Sequence, residues 1–219
     1  MKKPYPTLVI ILLILILGSL AGCTQPIKIN GTELRTYQGQ SLNSINDFRE
    51  NSIKGPQYIN QTTYRLHITG LVQNPTTYTY VDLIQNHQSY KKVLTLNCVE
   101  GWSVKILWEG IQIKDLLNET QLLPTANTLI FTAADGYTTS FPLDYIINQS
   151  IILAFKMNNV TIPAERGFPF ELAAEGKWGY KWIKWVTTID VTNDPSYRGY
   201  WESRGYSNTG NLNQSFSGP

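Results

Sequence analysis

The way this chain's apolar residues are punctuated is the feature that most limits its fold. Tyr64-Arg65-Leu66-His67-Ile68-Thr69-Gly70 alternates apolar and polar residues and stops at glycine, which predicts a half-buried strand. Val93 to Val99 predicts a second strand, and Trp102, Val104, Ile106 and Trp108 form the apolar face of a third. Leu129 to Thr132 and Tyr137 to Phe141 flank Ala133-Ala134-Asp135-Gly136, and Asp-Gly accepts the positive φ angles of a tight hairpin turn. Ile151 to Met157, ended by Asn158-Asn159, and the β-branched Thr187 to Val191 add two more strands. Ile113, Leu116 and Leu117 have helical spacing in one short segment closed by Pro124. Many short strands with few helices predict a mixed, β-rich α+β domain, and no internal repeat is present.

The ends differ in character from this middle. Lys2 and Lys3 precede an apolar run from Leu8 to Leu17 and then Leu20-Ala21-Gly22-Cys23, the order of an export leader over residues 1–22. Ten apolar residues fall short of the roughly 20 that span a bilayer, although extension to Ala21 gives a marginal span and hence an uncleaved anchor as the alternative. Leu-Ala-Gly-Cys looks like a lipobox, which would make Cys23 the lipidated first residue of a surface lipoprotein. Either way the folded part is expected outside the cytoplasm and held at a membrane. Removing residues 1–22 leaves 16 basic and 16 acidic side chains, so a neutral chain of 197 residues offers no electrostatic reason to bind nucleic acid. That length suits one domain with a proper core. Residues 23–41 read as a tether, 42–195 as the domain, and 196–219, rich in Gly, Ser, Asn and Tyr, as a tail packed on it or fraying from it. Six Asn-x-Ser/Thr sequons suit an exported chain but arise by chance in one so rich in asparagine.

Three segments could carry chemistry. Cys98 is the single thiol left after the leader, at the end of an apolar run and just before Gly101. It cannot form an intrachain disulfide there, so its sulfur is an inert core atom, a nucleophile, or a ligand for one soft metal centre. His67 and His87 share no metal-binding spacing with each other or with Cys98, so a cofactor would have to supply most of any metal's other ligands. Lys177-Trp178-Gly179-Tyr180-Lys181-Trp182-Ile183-Lys184-Trp185 joins three ammonium groups, a glycine and four large aromatics, which taken alone reads first as an aromatic strand with solvated lysines and also suits a phosphorylated planar ligand. Ser44 to Asn51 is an ordinary loop or helix start with Ser44 or Asn46 as a cap.

Taken in order, these residues resemble the molybdopterin-dependent oxidoreductases of the sulfite oxidase fold, including periplasmic methionine sulfoxide reductase catalytic subunits. Tyr64 to Gly70, Cys98-Val99-Glu100-Gly101-Trp102-Ser103, Leu153 to Asn159, Arg166-Gly167-Phe168-Pro169-Phe170 and Gly179 to Trp185 carry the likeness over about residues 42 to 206. The resemblance implies a sulfite oxidase-type molybdopterin-binding domain with molybdenum-molybdopterin as cofactor and Cys98 as the thiolate on molybdenum. It further implies that Asn46, Arg49 and Glu50 contact the pterin, that Lys181, Trp182, Ile183 and Lys184 serve its phosphate end, and that Glu100 lies near the metal.

The chain also departs from that family. Arg166 stands where His or Asn is usual, and Glu171 where Arg is usual, so the pterin contacts are rearranged, with Arg166 supplying charge one turn earlier. Phe155 replaces a tyrosine of sulfite oxidases, which counts against sulfite. No haem-binding segment is present, so electrons would pass to a separate partner, membrane-bound or soluble. A Lys2-Lys3 pair replaces the twin arginines of a folded-export leader. The expected activity is two-electron oxygen-atom transfer on a small S- or N-oxide, a sulfoxide or related oxyanion. The alternatives are sulfite oxidation, or a surface-binding lipoprotein that keeps the fold without the cofactor.

Overall fold

A computed structural model describes residues 31–218. The leader and Cys23 lie outside the described residues. After a two-residue hairpin, β1 (Thr36–Tyr37) and β2 (Gln40–Ser41), the strands are β3 (Arg65–Gly70), β4 (Thr76–Thr79), β5 (Ser89–Asn97), β6 (Ser103–Gln112), β7 (Thr128–Ala133), β8 (Thr138–Pro142), β9 (Ile152–Met157), β10 (Val160–Thr161), β11 (Glu171–Ala173) and β12 (Val186–Thr192). Three short helices intervene, α1 (Tyr80–Asn86), α2 (Ile113–Thr120) and α3 (Leu143–Asn148). The result is the β-rich α+β domain expected from the strand pattern.

The strands form two sheets. One has the order β10-β9-β6-β5 with β11 also on β9, and the other the order β4-β3-β12-β7-β8. Alternation places Leu66 and Ile68 of β3 inside while Arg65 and His67 face out. Leu66, Ile68, Phe131, Ile189 and Val191 of the second sheet and Val104, Ile106, Trp108 and Leu153 of the first join one buried cluster, so a single core serves both sheets. β12 runs parallel to β3, with Thr188 opposite His67 and Val191 opposite Gly70, and antiparallel to β7. Such a parallel pair leaves no signature in local sequence, because its crossover spans most of the domain.

β5 and β6 form the long hairpin that carries Cys98, with Asn97 opposite Ser103. β5 ends at Asn97, so Cys98 and Val99 belong to the connection and not to the strand. On its other edge β6 meets β9, with a register shift between Glu109 and Gly110. A Cβ at Gly110 would come within 2.4 Å of the Leu153 carbonyl oxygen, so only glycine lets the strands close there. Helix α2 matches the predicted helical segment, whereas α1, started by a reciprocal cap between Thr79 and Asp82, was not foreseen.

The first and last described segments pack onto the domain. Part of the expected tether is docked: Leu34 donates its amide to the Asn158 carbonyl, and Glu33 Oε1 accepts from Asn158 Nδ2 (2.8 Å) and the Ile45 amide (2.7 Å). The tail packs on the domain through a fully buried ion pair, in which Lys181 Nζ lies 2.7 Å from Glu202 Oε1 and also donates to the carbonyls of Ser140 and Asn208. Thr139 Oγ1 donates to the same Glu202 oxygen, and Lys177 Nζ donates to Thr209 O and Asn211 Oδ1.

Removing one partner of such a pair strands the other charge in the interior. Glu202→Ala is expected to lower unfolding free energy by about 3–5 kcal/mol in urea titrations, and Lys181→Met combined with Glu202→Leu to recover most of that loss. A loss as small as that of a surface pair would show that the tail is not anchored this way. Burial brings the Lys177 ammonium down to about 8, with the Lys181 charge adding to the effect and Asp144 opposing it. Between pH 8 and the ordinary lysine range the unfolded chain therefore holds more protons, and stability rises with pH across that window. Relative to Lys177→Met, the wild-type chain should gain stability from pH 7 to pH 10 in the same titrations. Parallel curves would contradict the shift.

Candidate functional site

Cys98 opens the β5–β6 connection, and a tight turn fixes it: its amide donates to Trp102 O (2.9 Å), and the Gly101 amide donates to Cys98 O (3.1 Å). Gly101 has φ +84°, a left-handed conformation that favours glycine. The thiol is 8% exposed, and it lies on the wall of a cavity of about 280 Å³. Burial raises its pKa and the Glu100 charge adds to the rise, while the backbone amides of Glu100 and Val99 and the charge of Arg49 oppose it. Left alone, the sulfur is a neutral thiol and a poor nucleophile at pH 7, and a bound cation would ionise it.

The lysine- and tryptophan-rich segment comes to the same place. It forms no strand, but a 3-10 turn at Gly179–Lys181 followed by loop. Trp178 pairs with Asn97, and a Cβ on Gly179 would sit 3.2 Å from Asn97 O and 3.3 Å from Cys98 Cα. Glycine is what lets this segment rest on the cysteine turn. Trp182, Ile183 and Lys184 line the cavity with Cys98. Lys181 does not: its buried pair with Glu202 commits it to the tail, which corrects its expected place among the cofactor contacts. The following residue pattern turns Lys184 the other way, where Nζ donates to Glu50 Oε1 (2.9 Å) and stands 4.3 Å from the Trp185 ring centroid.

The third segment is held by groups that local sequence does not reveal. Ser44 caps a 3-10 turn at Ile45–Asp47, with Asp47 returning the bond to the Ser44 amide. Arg166, buried, donates Nη2 to Phe48 O (2.7 Å) and Nε to Ile45 O (3.3 Å) and lies 5.3 Å over the Phe48 ring. Arg166 and Arg49 reach the cavity wall, while Asn46 and Glu50 do not line it, and Glu50 acts through Lys184. Glu100 lines the cavity, its two oxygens taken by Asn51 Nδ2 (2.9 Å) and Trp102 Nε1 (3.2 Å).

Several wall residues escaped sequence reading. Asp135 and Tyr137 come from the β7–β8 hairpin, and Trp201 and Tyr206 from the tail. Aromatic richness hinted at the tail residues, but nothing local placed Tyr137 on the same wall as Cys98. Phe155 packs on the Phe170 ring 6.2 Å away and is not part of the wall, so its identity gives no structural reason to exclude sulfite. His67 faces outward and bonds Thr77, and His87 sits against Glu119, both outside the cavity.

One soft sulfur, flat aromatic walls and three cationic side chains, Arg49, Arg166 and Lys184, converge here. Among the described residues no three His, Cys, Asp or Glu side chains could hold a metal ion together. That donor set fits a metal whose remaining ligands arrive on a planar, phosphorylated chelator.

Comparison with known proteins agrees. Residues 53–201 match the family described as oxidoreductase molybdopterin binding domain. The chain is 29% identical over 152 residues to the uncharacterized oxidoreductase YuiH of Bacillus subtilis, covering 69% of this chain and 76% of that one. It is 29% identical over 143 residues to the protein-methionine-sulfoxide reductase catalytic subunit MsrP of Gluconobacter oxydans, covering 58% of this chain and 46% of that one. The fold superposes on the sulfane dehydrogenase SoxCD of Paracoccus pantotrophus with a TM-score of 0.65 at 23% identity, over 73% of this chain and 44% of that one. With its cysteine turn, planar-ligand cavity and β-rich α+β fold, the chain belongs to the oxidoreductase molybdopterin binding domain family, as a molybdopterin-dependent oxidoreductase that uses molybdenum-molybdopterin.

Proposed function

We propose that this protein catalyses two-electron oxygen-atom transfer on a small S- or N-oxide, with sulfoxide reduction as the leading reaction. The placement of the Cys98 thiol in an aromatic, cation-lined cavity is the observation that carries this reading. When bound, molybdenum-molybdopterin would supply a two-electron redox centre for the oxygen-atom transfer.

The chain's own residues do the rest. Cys98 would hold the metal through its sulfur as thiolate. Lys184, aimed by Glu50, sets a positive charge for the phosphate end beside Trp182 and Ile183, and Arg166 and Arg49 add charge along the same wall. Trp102, Trp182, Trp185 and Trp201 cover the planar part and keep bulk water from the reacting atoms. Glu100, fixed by Asn51 and Trp102, orients substrate next to the metal. Electrons arrive from a separate membrane or soluble carrier, and the leader read from residues 1–22, with lipidation at Cys23, holds the enzyme on the outer face of a membrane.

Arg49 motivates one further reading. Its charge acts on Cys98, and a cation there suits an oxyanion such as sulfite. Against it, Glu100 places a carboxylate on the same wall.

Full-length protein from its natural host should carry molybdenum and pterin at close to one per chain by metal analysis and pterin fluorescence, and their absence would remove the proposal. Cys98→Ser should abolish metal–thiolate absorption and lower turnover by roughly a hundredfold or more. With artificial electron carriers, methionine sulfoxide reduction should exceed sulfite oxidation. Faster sulfite turnover, with a KM raised selectively by Arg49→Gln, would favour the second reading instead.

A further inference from the structure

Glu171 is the one cavity carboxyl that nothing engages. Three acidic side chains line the wall: Glu100, Asp135 and Glu171. Glu100 is bonded by Asn51 and Trp102, and Asp135 accepts from the Tyr137 amide. Glu171 is 2% exposed, and its carboxyl takes part in no hydrogen bond or ion pair among the described residues. Arg166 and Lys184 act on it only through space.

Its backbone prevents escape to solvent. Glu171 opens β11, opposite Ala154 of β9, and the next residue donates its amide to Ile183 O (2.9 Å). Gly167, at φ +110°, passes so close that a Cβ there would lie 3.0 Å from Glu171 Cβ and 3.3 Å from Oε2. Burial pushes the carboxyl above the ordinary carboxylate range, against the pull of Lys184 and Arg166. A buried carboxyl without a partner opposes folding, and a ligand that supplies the missing donors relieves that cost.

A pterin ring offers such donors: its pyrimidine edge carries an amino group beside a ring amide N–H, spaced for the two oxygens of one carboxyl. Cations serve the phosphate and carbonyl groups of the same ligand but not this edge. Resting on the molybdopterin reading above, we propose that Glu171 is a cofactor-positioning residue that accepts hydrogen bonds from the amino–amide edge of the pterin.

The test uses the full chain, made as wild type, Glu171→Gln and Glu171→Leu in a host that assembles the cofactor. Readouts are pterin and molybdenum per chain, the rate of pterin loss on dialysis, and the thermal midpoint of cofactor-free full chain from a host lacking the pathway. Glu171→Leu should hold pterin about tenfold less well while raising the cofactor-free midpoint, and Glu171→Gln, which keeps one carbonyl acceptor, should fall between. Wild-type retention in Glu171→Leu, or a lowered cofactor-free midpoint with retention falling in parallel, would overturn the assignment. Should Glu171→Leu not fold, unchanged retention in the nearly isosteric Glu171→Gln would overturn it and reduced retention would uphold it. Wild-type protein lacking both molybdenum and pterin would instead sink the molybdopterin reading itself.

Discussion

The seating of Gly179 on Asn97 and Cys98 is the contact on which the rest of this site depends. A Cβ at position 179 would press on the backbone of Asn97 and Cys98 at 3.2–3.3 Å, so the two segments would have to part by a few tenths of an ångström. With glycine there, the end of one sheet's longest hairpin and a loop some eighty residues further on share a wall. Trp182 then lies 5.2 Å from Trp108, so the segment is continuous with the core and not merely draped over it. Rigidity at the cysteine thus derives from packing of the whole domain.

Charge is divided with similar economy along that segment. Lys181 is wholly buried; burial lowers its pKa, and Glu202 opposes that shift while two carbonyls accept from the same nitrogen. Lys184, three residues on, keeps contact with the cavity and with partly exposed Glu50. One lysine therefore ties the tail down while the other is available to an anionic group. The tail in turn supplies Trp201 and Tyr206 to the cavity, so a structural ion pair bears on the shape of the site at one remove.

What could be read from sequence was what local chemistry announces. Strand alternation, the Asp-Gly hairpin and the short helix at Ile113 arise from neighbouring residues, and so do the cysteine turn and the aromatic–lysine segment. Pairings between distant residues were hidden. Lys181 and Glu202 are 21 positions apart with no periodicity linking them. The parallel β3–β12 contact, Arg166 reaching across to Ile45 and Phe48, and Glu33 bracing the start of the domain have the same character. Phe155 shows the converse hazard: its identity suggested a substrate contact, but its ring belongs to the packing around Phe170.

The central claim is a bond between Cys98 sulfur and molybdenum. X-ray absorption at the molybdenum edge, on full-length protein from its own host, examines that bond directly. The account predicts sulfur neighbours around the metal, with one fewer in Cys98→Ser protein that retains its pterin. An identical sulfur shell in both proteins would contradict it.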